Sequence, residues 1–290
     1  MNAGEDNMKI INNFPFRNEY DLLEIKLSTE YDSVDQFTIV ECDHTYTGTY
    51  KGFNLPKQME RYAPWWDKVK YIQVGKPPGT LFEAEHWVRN HFQSTWENMT
   101  KDDVVVITDC DELIRPETYK FIRDTDYDYY RLGMPFFNFK FNYLNIQGHT
   151  PWPSVRAFRG YFVDGHDGMR NIHSVPGGRQ VELNHAGWHF SYLGNRDWVL
   201  EKIASISHPE NDTQTVRDNL DVDTLIRQGK DFGSRPGFEF CQVKLDNYFP
   251  KAITDNLSKY ADYILPDTDK SVLDYFSGSI PQVLSGTNNF

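Results

Sequence analysis

Cysteine is scarce in this 290-residue chain, which holds three: Cys42, Cys110 and Cys241. Three is an odd number, and no two of them form a Cys-x-x-Cys pair. Such a set argues against the disulfide framework of a small secreted domain and against the ligand spacing of a structural zinc site. The cysteines therefore favour a reducing compartment, and we expect a cytoplasmic protein.

Long apolar runs are also missing, since no stretch approaches the roughly 18 residues that a membrane-spanning helix requires. The opening MNAGEDNMKI lacks the basic and apolar regions of a signal peptide. Basic residues are outnumbered, with 30 lysines and arginines against 42 aspartates and glutamates and a net charge of −12. We therefore expect a soluble protein with no membrane span and no nucleic-acid partner.

The chain lacks repeats, low-complexity segments and linkers, so we predict one domain over residues 1–290. Up to about residue 125, strand-like and helical segments alternate, which predicts the α/β class with a mostly parallel central sheet and flanking helices. The later part is richer in aromatic strand-like segments and predicts a smaller half of strands and helices. The predicted strands include 9–14, 37–41, 69–74, 104–108, 127–143 and 154–163, and the predicted helices 81–99, 198–206, 215–228 and 253–263. Asn18 is predicted to cap a further helix whose apolar face is Leu22, Leu23, Leu27 and Tyr31.

The segment VVVITDCDE, Val104–Glu112, joins an apolar β-branched run to three carboxylates. Such a run is typical of a strand buried on both faces, and ligands of open α/β sheets bind beyond the carboxyl ends of the strands. Asp109 and Asp111 are two residues apart, so on an extended backbone their side chains point the same way. Mg²⁺ or Mn²⁺ shared with phosphate oxygens would neutralise them. A solvated acidic loop, or a phosphohydrolase with Asp109 as nucleophile, stays open at this point.

Seven segments in this order resemble glycosyltransferase family 17: FPFRNEYDLLEIKL, FTIVECDHTYTG, FEAEHWVRN, VVVITDCDELIRPE, AGWHFSYLG, SHPEN and KYADYILP. The resemblance runs from about residue 9 to residue 266. It implies a GT-A-type fold and an inverting, metal-dependent transfer of a sugar, with GlcNAc as the leading candidate, from a UDP-sugar to a glycan or another hydroxyl acceptor. It also implies a nucleotide-sugar-binding half at about 9–125, an acceptor half at about 126–266 and a C-terminal tail at 267–290.

The resemblance extends to individual residues. For Mn²⁺ or Mg²⁺ it implies Asp109, Asp111 and His189 as ligands, and for the uridine it implies Glu41 and the Thr47–Gly48 loop. Cations such as Arg170 and Lys230 can offset diphosphate charge, and Trp152 and Trp188 can stack on sugar faces. The remaining donor contacts are expected from Arg89, Asn90, Asp109 and His208, whereas His173 and His185 are interpreted as structural.

An inverting transfer needs a base that takes the proton of the acceptor hydroxyl on the face of the sugar opposite the leaving group. The carboxylates that hold the metal cannot serve, so the base should come from the second half. Asp167, Glu182 and Asp197 are the candidates, and the glycine-flanked loop GHDGMR puts Asp167 first. The acceptor is expected to be a glycan other than a luminal N-glycan. An inactive carbohydrate-binding module is the remaining alternative, and the intact acidic motif argues against it.

Overall fold

The structure is a computed structural model, and it describes residues 8–147, 152–160, 170, 172–233 and 235–276. Its central sheet has seven strands, in the order β10-β6-β9-β4-β1-β2-β3. These strands are β1 (Ile10–Phe16), β2 (Gln36–Cys42), β3 (Val69–Val74), β4 (Val104–Ile107), β6 (Tyr129–Met134), β9 (Trp152–Arg159) and β10 (Gln180–Leu183). Strand β9 is antiparallel to both of its neighbours, and the other pairs are parallel. The predicted class, α/β with a mostly parallel sheet, is confirmed.

Strand β4 is buried on both faces, as its sequence predicts. Val104 and Val106 belong to the core cluster that includes Leu23 and Leu27 of the first helix. Val105 and Ile107 belong to the cluster on the other face. The side chains of a strand alternate between faces, so a continuous apolar run suits a strand that is covered from both sides.

The order of the strands creates a crevice beside β1. Strand β2 pairs with one side of β1 and β4 pairs with the other, both in parallel register. The chain therefore leaves β1 toward one edge of the sheet and later returns to its opposite side. Such a switch point opens a crevice at the carboxyl ends of the strands, where α/β proteins bind ligands. Phe16 ends β1 and Ile107 ends β4, so Arg17 and Asp109 follow at this edge.

A second, five-stranded sheet continues from the acidic segment and has the order β12-β8-β7-β11-β5. Strand β11 runs parallel to β7, and the other pairs are antiparallel. The two sheets are joined closely, because β5 begins at Glu112, directly after Asp111. Its strands are β5 (Glu112–Ile114), β7 (Phe136–Asn138), β8 (Tyr143–Asn145), β11 (Gly187–Ser191) and β12 (Phe240–Gln242).

The helices lie between and after the strands. The α-helices are α1 (Tyr20–Glu30), α2 (Met59–Tyr62), α3 (Phe82–Asn90), α4 (Pro116–Asp124), α5 (Arg196–Ile203), α6 (Gln214–Asn219), α7 (Val222–Gln228) and α8 (Lys251–Thr254). Short 3₁₀ segments span Leu55–Gln58, Ala63–Lys68, His91–Thr95, Pro209–Asn211, Ala261–Tyr263 and Val272–Asp274. Within the described ranges, no helix has the length and apolar character needed to cross a membrane.

Several helix boundaries differ from the prediction. Asn18 does not cap α1; its amide reaches the carboxylate of Glu201 at 2.5 Å, and the helix begins at Tyr20 without a side-chain cap. The helix predicted over 215–228 is two helices, because Asp221 accepts a hydrogen bond from the Thr224 N–H and starts a new one. These differences arise from side-chain contacts that hydrophobic periodicity does not register.

Candidate active site

A cavity of about 540 Å³ opens at the carboxyl edge of the central sheet, beside the second sheet. One part of its wall follows β1, β2 and β4 and includes helix α3. The other part comes from the second half of the chain and is richer in aromatic side chains. The wall includes Phe16, Arg17, Tyr46, Arg89, Asp109 and Asp111 from the first half, and Phe136, Trp152, His189, Tyr192, Lys202 and His208 from the second.

Asp109 lies in this wall between two arginines. Its Oδ1 accepts a hydrogen bond from Arg89 at 2.5 Å, and its Oδ2 accepts one from Arg170 at 2.8 Å. Burial alone would raise the pKa of Asp109, but Arg170 and then Arg89 hold that pKa below its ordinary value. Asp109 is therefore a carboxylate at neutral pH, with a guanidinium on each oxygen.

Asp111 has a different environment. Lys202 of α5 donates to its Oδ2 at 2.6 Å, and the Nε2 of His189 lies 3.7 Å from its Oδ1. Burial would raise the pKa of Asp111, but Lys202 and then His189 hold it well below its usual range. Because Lys202 is also buried, burial would lower its pKa, and the Asp111 carboxylate instead raises that pKa.

Glu112 is the third carboxylate of the motif, and its side chain is fully buried. It accepts the Asp109 backbone N–H at 2.7 Å, the indole N–H of Trp152 at 3.0 Å and the guanidinium of Arg170 at 2.8 Å. Its carboxylate therefore holds the backbone of Asp109 and the side chains of Trp152 and Arg170 in place. The three acidic residues thus divide into two that face the cavity and one that supports it.

A buried pair on α1 supports the acidic segment from the side away from the cavity. Lys26 donates to the backbone carbonyl of Glu112 at 2.6 Å and to the carboxylate of Glu30 at 3.1 Å. Glu30 in turn accepts the backbone N–H of Ile114 at 2.9 Å. The backbone that carries Asp109 and Asp111 is therefore fixed by charge-assisted hydrogen bonds, which are about twice as strong as neutral ones.

His189 connects the acidic centre to an aromatic wall. Its ring stacks on Phe136, with centroids 5.0 Å apart, and lies 5.0 Å from the ring of Trp152. Its Nδ1 is buried and has no hydrogen-bond partner among the described residues. A buried polar atom without a partner is costly, so a ligand that bonded to this ring nitrogen would stabilise the site.

The donor set fits the chemistry of Mn²⁺ or Mg²⁺ in part. Carboxylates suit Mn²⁺ and Mg²⁺, and Asp111 and His189, whose Oδ1 and Nε2 lie 3.7 Å apart, are the residues that would hold the ion. In the part of the chain that the structure describes, no group of three histidine, cysteine, aspartate or glutamate side chains is arranged to hold a metal. Donor phosphate oxygens would have to complete the coordination.

Of the other predicted donor-site residues, some line the cavity and some do not. Arg89 and His208 line the cavity. Thr47 and Gly48 form the loop whose neighbours Thr45 and Tyr46 line it, and the Thr47 hydroxyl bonds to the carbonyl of Ala204. Gly48 has a φ of +91°, a conformation that favours glycine.

Glu41 and Asn90 do not line the cavity. Glu41 is fully buried, and its carboxylate accepts hydrogen bonds from Lys51, Tyr71 and the N–H groups of residues 54 and 55. It is therefore placed as a brace for the loop after β2. Asn90 is exposed at the end of α3.

None of the three base candidates has a described position in the cavity wall. Glu182 is half exposed on β10 and pairs with Arg131 at 3.0 Å. Asp197 is 89% exposed on the first turn of α5, beside Arg196. Asp167 lies outside the described residues.

Of the remaining predicted residues, one lines the cavity and the others do not. Trp152 lines the cavity, whereas Trp188 is buried in the core of the second half. Lys230 and His173 are exposed away from the cavity wall. His185 bonds to the Tyr248 hydroxyl at 2.8 Å and is structural, as interpreted from the sequence.

Sequence reasoning missed Lys202, Arg17 and Tyr192. Arg17 had a usable signal, because it directly follows β1 at the same edge as Asp109. Lys202 had none, since it meets Asp111 across 91 residues of chain from within an ordinary helix.

Fold and site together define a class: α/β proteins whose ligand cavity lies at the switch point of a mostly parallel sheet. Within that class, the sequence model of glycosyltransferase family 17 matches residues 2–239, and the chain belongs to this family. This match confirms the family expected from the sequence, glycosyltransferase family 17.

The curated relatives share a name, β-1,4-mannosyl-glycoprotein 4-β-N-acetylglucosaminyltransferase. The Rattus norvegicus protein is 23% identical over 295 residues, which cover 87% of this chain and 54% of the relative. The Homo sapiens protein has the same identity and coverage. The chain therefore spans about half the length of the curated relatives it matches. A solved structure of an active-site mutant of LgtC is similar over 43% of this chain and 46% of its own, with 14% identity and a TM-score of 0.26.

Proposed function

We propose that this protein transfers GlcNAc from UDP-GlcNAc to a hydroxyl group of a glycan acceptor, with inversion at the anomeric carbon. The observation that carries the proposal is the composition of the cavity wall. The wall contains the carboxyl edge of a parallel sheet, where nucleotides commonly bind, and aromatic side chains from the second half of the chain. Carboxylates and cations also line the cavity. The names of the relatives support GlcNAc as the sugar.

The donor diphosphate would lie at the centre of the cavity, between the two halves. Bound there by Asp109, Asp111 and His189, Mn²⁺ or Mg²⁺ would act as a Lewis acid on the phosphate oxygens. Arg89, Arg170 and Lys202 place positive charge beside the leaving group, where negative charge develops as the bond to the sugar breaks.

Different parts of the cavity wall suit the uridine and the sugar. Tyr46 and the loop after β2 would border the uridine. Trp152 and Tyr192, from the second half of the chain, also line the cavity, and aromatic rings suit the apolar face of a sugar ring. Bound donor and acceptor would displace water from the cavity, and water otherwise competes with the acceptor for the sugar.

The base remains Asp167 in this proposal, because Glu182 and Asp197 lie away from the cavity wall. A general base supplies about 10²–10⁴-fold in rate, so Asp167→Asn should lower kcat by that factor and leave donor affinity nearly unchanged. If Asp167→Asn keeps kcat within about threefold of wild type, the assignment is wrong.

The three cysteines are unpaired in the structure, and Cys42 and Cys110 are buried. Unpaired thiols support a reducing compartment, and with it a cytoplasmic location and an acceptor other than a luminal N-glycan. Mass spectrometry of the native protein tests this point, because an intramolecular disulfide would contradict it.

Calorimetry tests the donor directly. Titration of the protein with UDP in the presence of Mn²⁺ should give a clear binding heat, and GDP and CMP should give little. Binding of GDP or CMP without binding of UDP would contradict the proposal. Hydrolysis of simple phosphate esters would instead identify a phosphohydrolase.

A further inference from the structure

We infer that Lys202 exchanges partners during donor binding: it neutralises Asp111 in the free protein and moves to the donor diphosphate when the donor arrives. The exchange would make divalent metal bind together with the donor rather than before it. This inference rests on the proposed function, and it concerns a residue that the sequence did not single out.

The first support is the position of the ammonium group. Lys202 Nζ lies 2.6 Å from Asp111 Oδ2 and 5.1 Å from the centre of the Tyr192 ring, and the residue lines the cavity. An ammonium group has three N–H donors. Among the described residues, Asp111 is its hydrogen-bond acceptor, so donors remain for a ligand in the cavity.

The second support is a contrast with the two arginines of the site. Arg170 bonds to both Asp109 and Glu112, and Arg89 bonds to both Asp109 and Glu85. Moving either guanidinium would uncover two carboxylates. Moving Lys202 uncovers one, Asp111.

The chemistry of the side chains points the same way. A guanidinium is a rigid planar fork that suits fixed bidentate contacts. Lysine carries a compact charge on a flexible stem of four carbons, so Lys202 can change partners by rotations within its own side chain.

The third support is the balance of charge. In the free protein, four carboxylates and three cations are in contact at the centre of the site: Glu85, Asp109, Asp111 and Glu112 with Arg89, Arg170 and Lys202. A metal ion that arrives alone at Asp111 Oδ1 meets a carboxylate whose charge Lys202 already neutralises through Oδ2. A donor diphosphate gives Lys202 another anion, so the full charge of the Asp111 carboxylate becomes available to the metal.

The consequence is a coupling between two ligands. Whatever factor the donor adds to metal affinity, the metal must add to donor affinity, because coupling free energies are reciprocal. Typical couplings are about 5–150-fold. We expect UDP to tighten Mn²⁺ binding by at least about tenfold in the wild type, within that range.

The experiment measures Mn²⁺ binding by electron paramagnetic resonance, with and without UDP, in wild type and Lys202→Met. In the variant, Mn²⁺ alone should bind more tightly than in the wild type, and UDP should add much less. UDP affinity should fall by about tenfold, as expected when a charged partner is lost. Lys120→Met is the matched control, because it removes an exposed lysine that pairs with an aspartate at 2.7 Å.

Two outcomes separate the inference from the proposed function. If wild type binds UDP with Mn²⁺ but Lys202→Met binds Mn²⁺ alone no more tightly, the exchange is overturned and the function stands. If wild type binds no UDP at any Mn²⁺ concentration, the proposed function fails, and the exchange fails with it. Thermal melting checks that the variant is folded, and Lys202→Gln, which should behave like Lys202→Met, replaces it if it is not.

Discussion

Helices α1 and α4 carry the same sequence pattern, a lysine followed four residues later by an acid, in opposite environments. Lys26 and Glu30 on α1 lie 3.1 Å apart and are fully buried. Lys120 and Asp124 on α4 lie 2.7 Å apart and are 61% and 44% exposed. Spacing alone predicts a solvated helix pair in both places. The difference comes from what each helix packs against.

The buried pair has a task that the exposed pair lacks. Glu30 accepts hydrogen bonds from Asn12 and Tyr119, both at 2.7 Å, as well as the Ile114 N–H. Lys26 bonds to the carbonyl of Glu112. The pair thus fixes the backbone next to the acidic centre, while the exposed pair contributes little to any other element.

The largest effect is expected from breaking the buried pair. Glu30→Gln should leave the Lys26 charge buried without its counter-ion and lower the free energy of unfolding by about 3–5 kcal/mol. Urea unfolding followed by circular dichroism measures the loss. The double variant Lys26→Met/Glu30→Gln should recover part of the loss, because it removes the uncompensated charge. A loss below about 1 kcal/mol in the single variant would contradict the view that the pair braces the site.

The next effect concerns an ion pair that borders the cavity. Asp111→Asn should lower activity by about 10²–10³-fold, because it removes a proposed ligand of the metal and the partner of Lys202. Stability should change far less than in Glu30→Gln, since the cavity gives Lys202 access to water. Asp124→Asn is the matched control, with unchanged activity. Initial rates of transfer measure the effect, and wild-type rates from Asp111→Asn without added metal would refute it.

The next effect is the pH dependence of stability that the buried His185 should cause. Burial, and then the charge of Arg115, lowers the pKa of His185 to about 4, from an ordinary value of 6.5. The unfolded chain therefore binds a proton at this residue between about pH 6.5 and 4 that the folded chain does not. The stability that a neutral His185 contributes is complete above pH 6.5 and is lost as the pH falls toward 4. Between pH 7.5 and 5 the loss is about 2 kcal/mol.

Urea unfolding at pH 7.5 and at pH 5 measures this loss, and His185→Gln provides the comparison. The variant removes the titrating group but keeps a side chain that can bond to the Tyr248 hydroxyl. Its stability should therefore change by about 2 kcal/mol less between the two pH values than that of wild type. Equal changes in the two proteins would show that His185 is not the group concerned.

The smallest effect is expected from the exposed pair. Lys120→Met should change the free energy of unfolding by less than about 0.5 kcal/mol, because exposed pairs of this spacing contribute little. The same urea experiment measures it. A loss above about 1.5 kcal/mol would remove the difference between the two helices on which the comparison depends.

The sequence predicts features that depend on neighbours along the chain. The apolar run before Asp109 indicates a two-sided strand, and the strand ends locate the cavity edge. The sequence does not predict that Lys26 is buried, because its burial depends on contacts with Glu112, 86 residues away. Glu41 is misleading for the same reason, since its position at a strand end is real but its carboxylate is taken up by Lys51 and Tyr71.

The most direct test of the central claim measures UDP release from UDP-GlcNAc in the presence of Mn²⁺, in wild type and in Asp111→Asn. Even without the natural acceptor, water should accept the sugar slowly in a wild-type site. The proposal predicts measurable UDP release from wild type and at least about a hundredfold less from the variant, with Asp124→Asn equal to wild type. Equal release from wild type and Asp111→Asn would contradict the claim that the carboxylates after β4, Asp109 and Asp111, are required for the transfer.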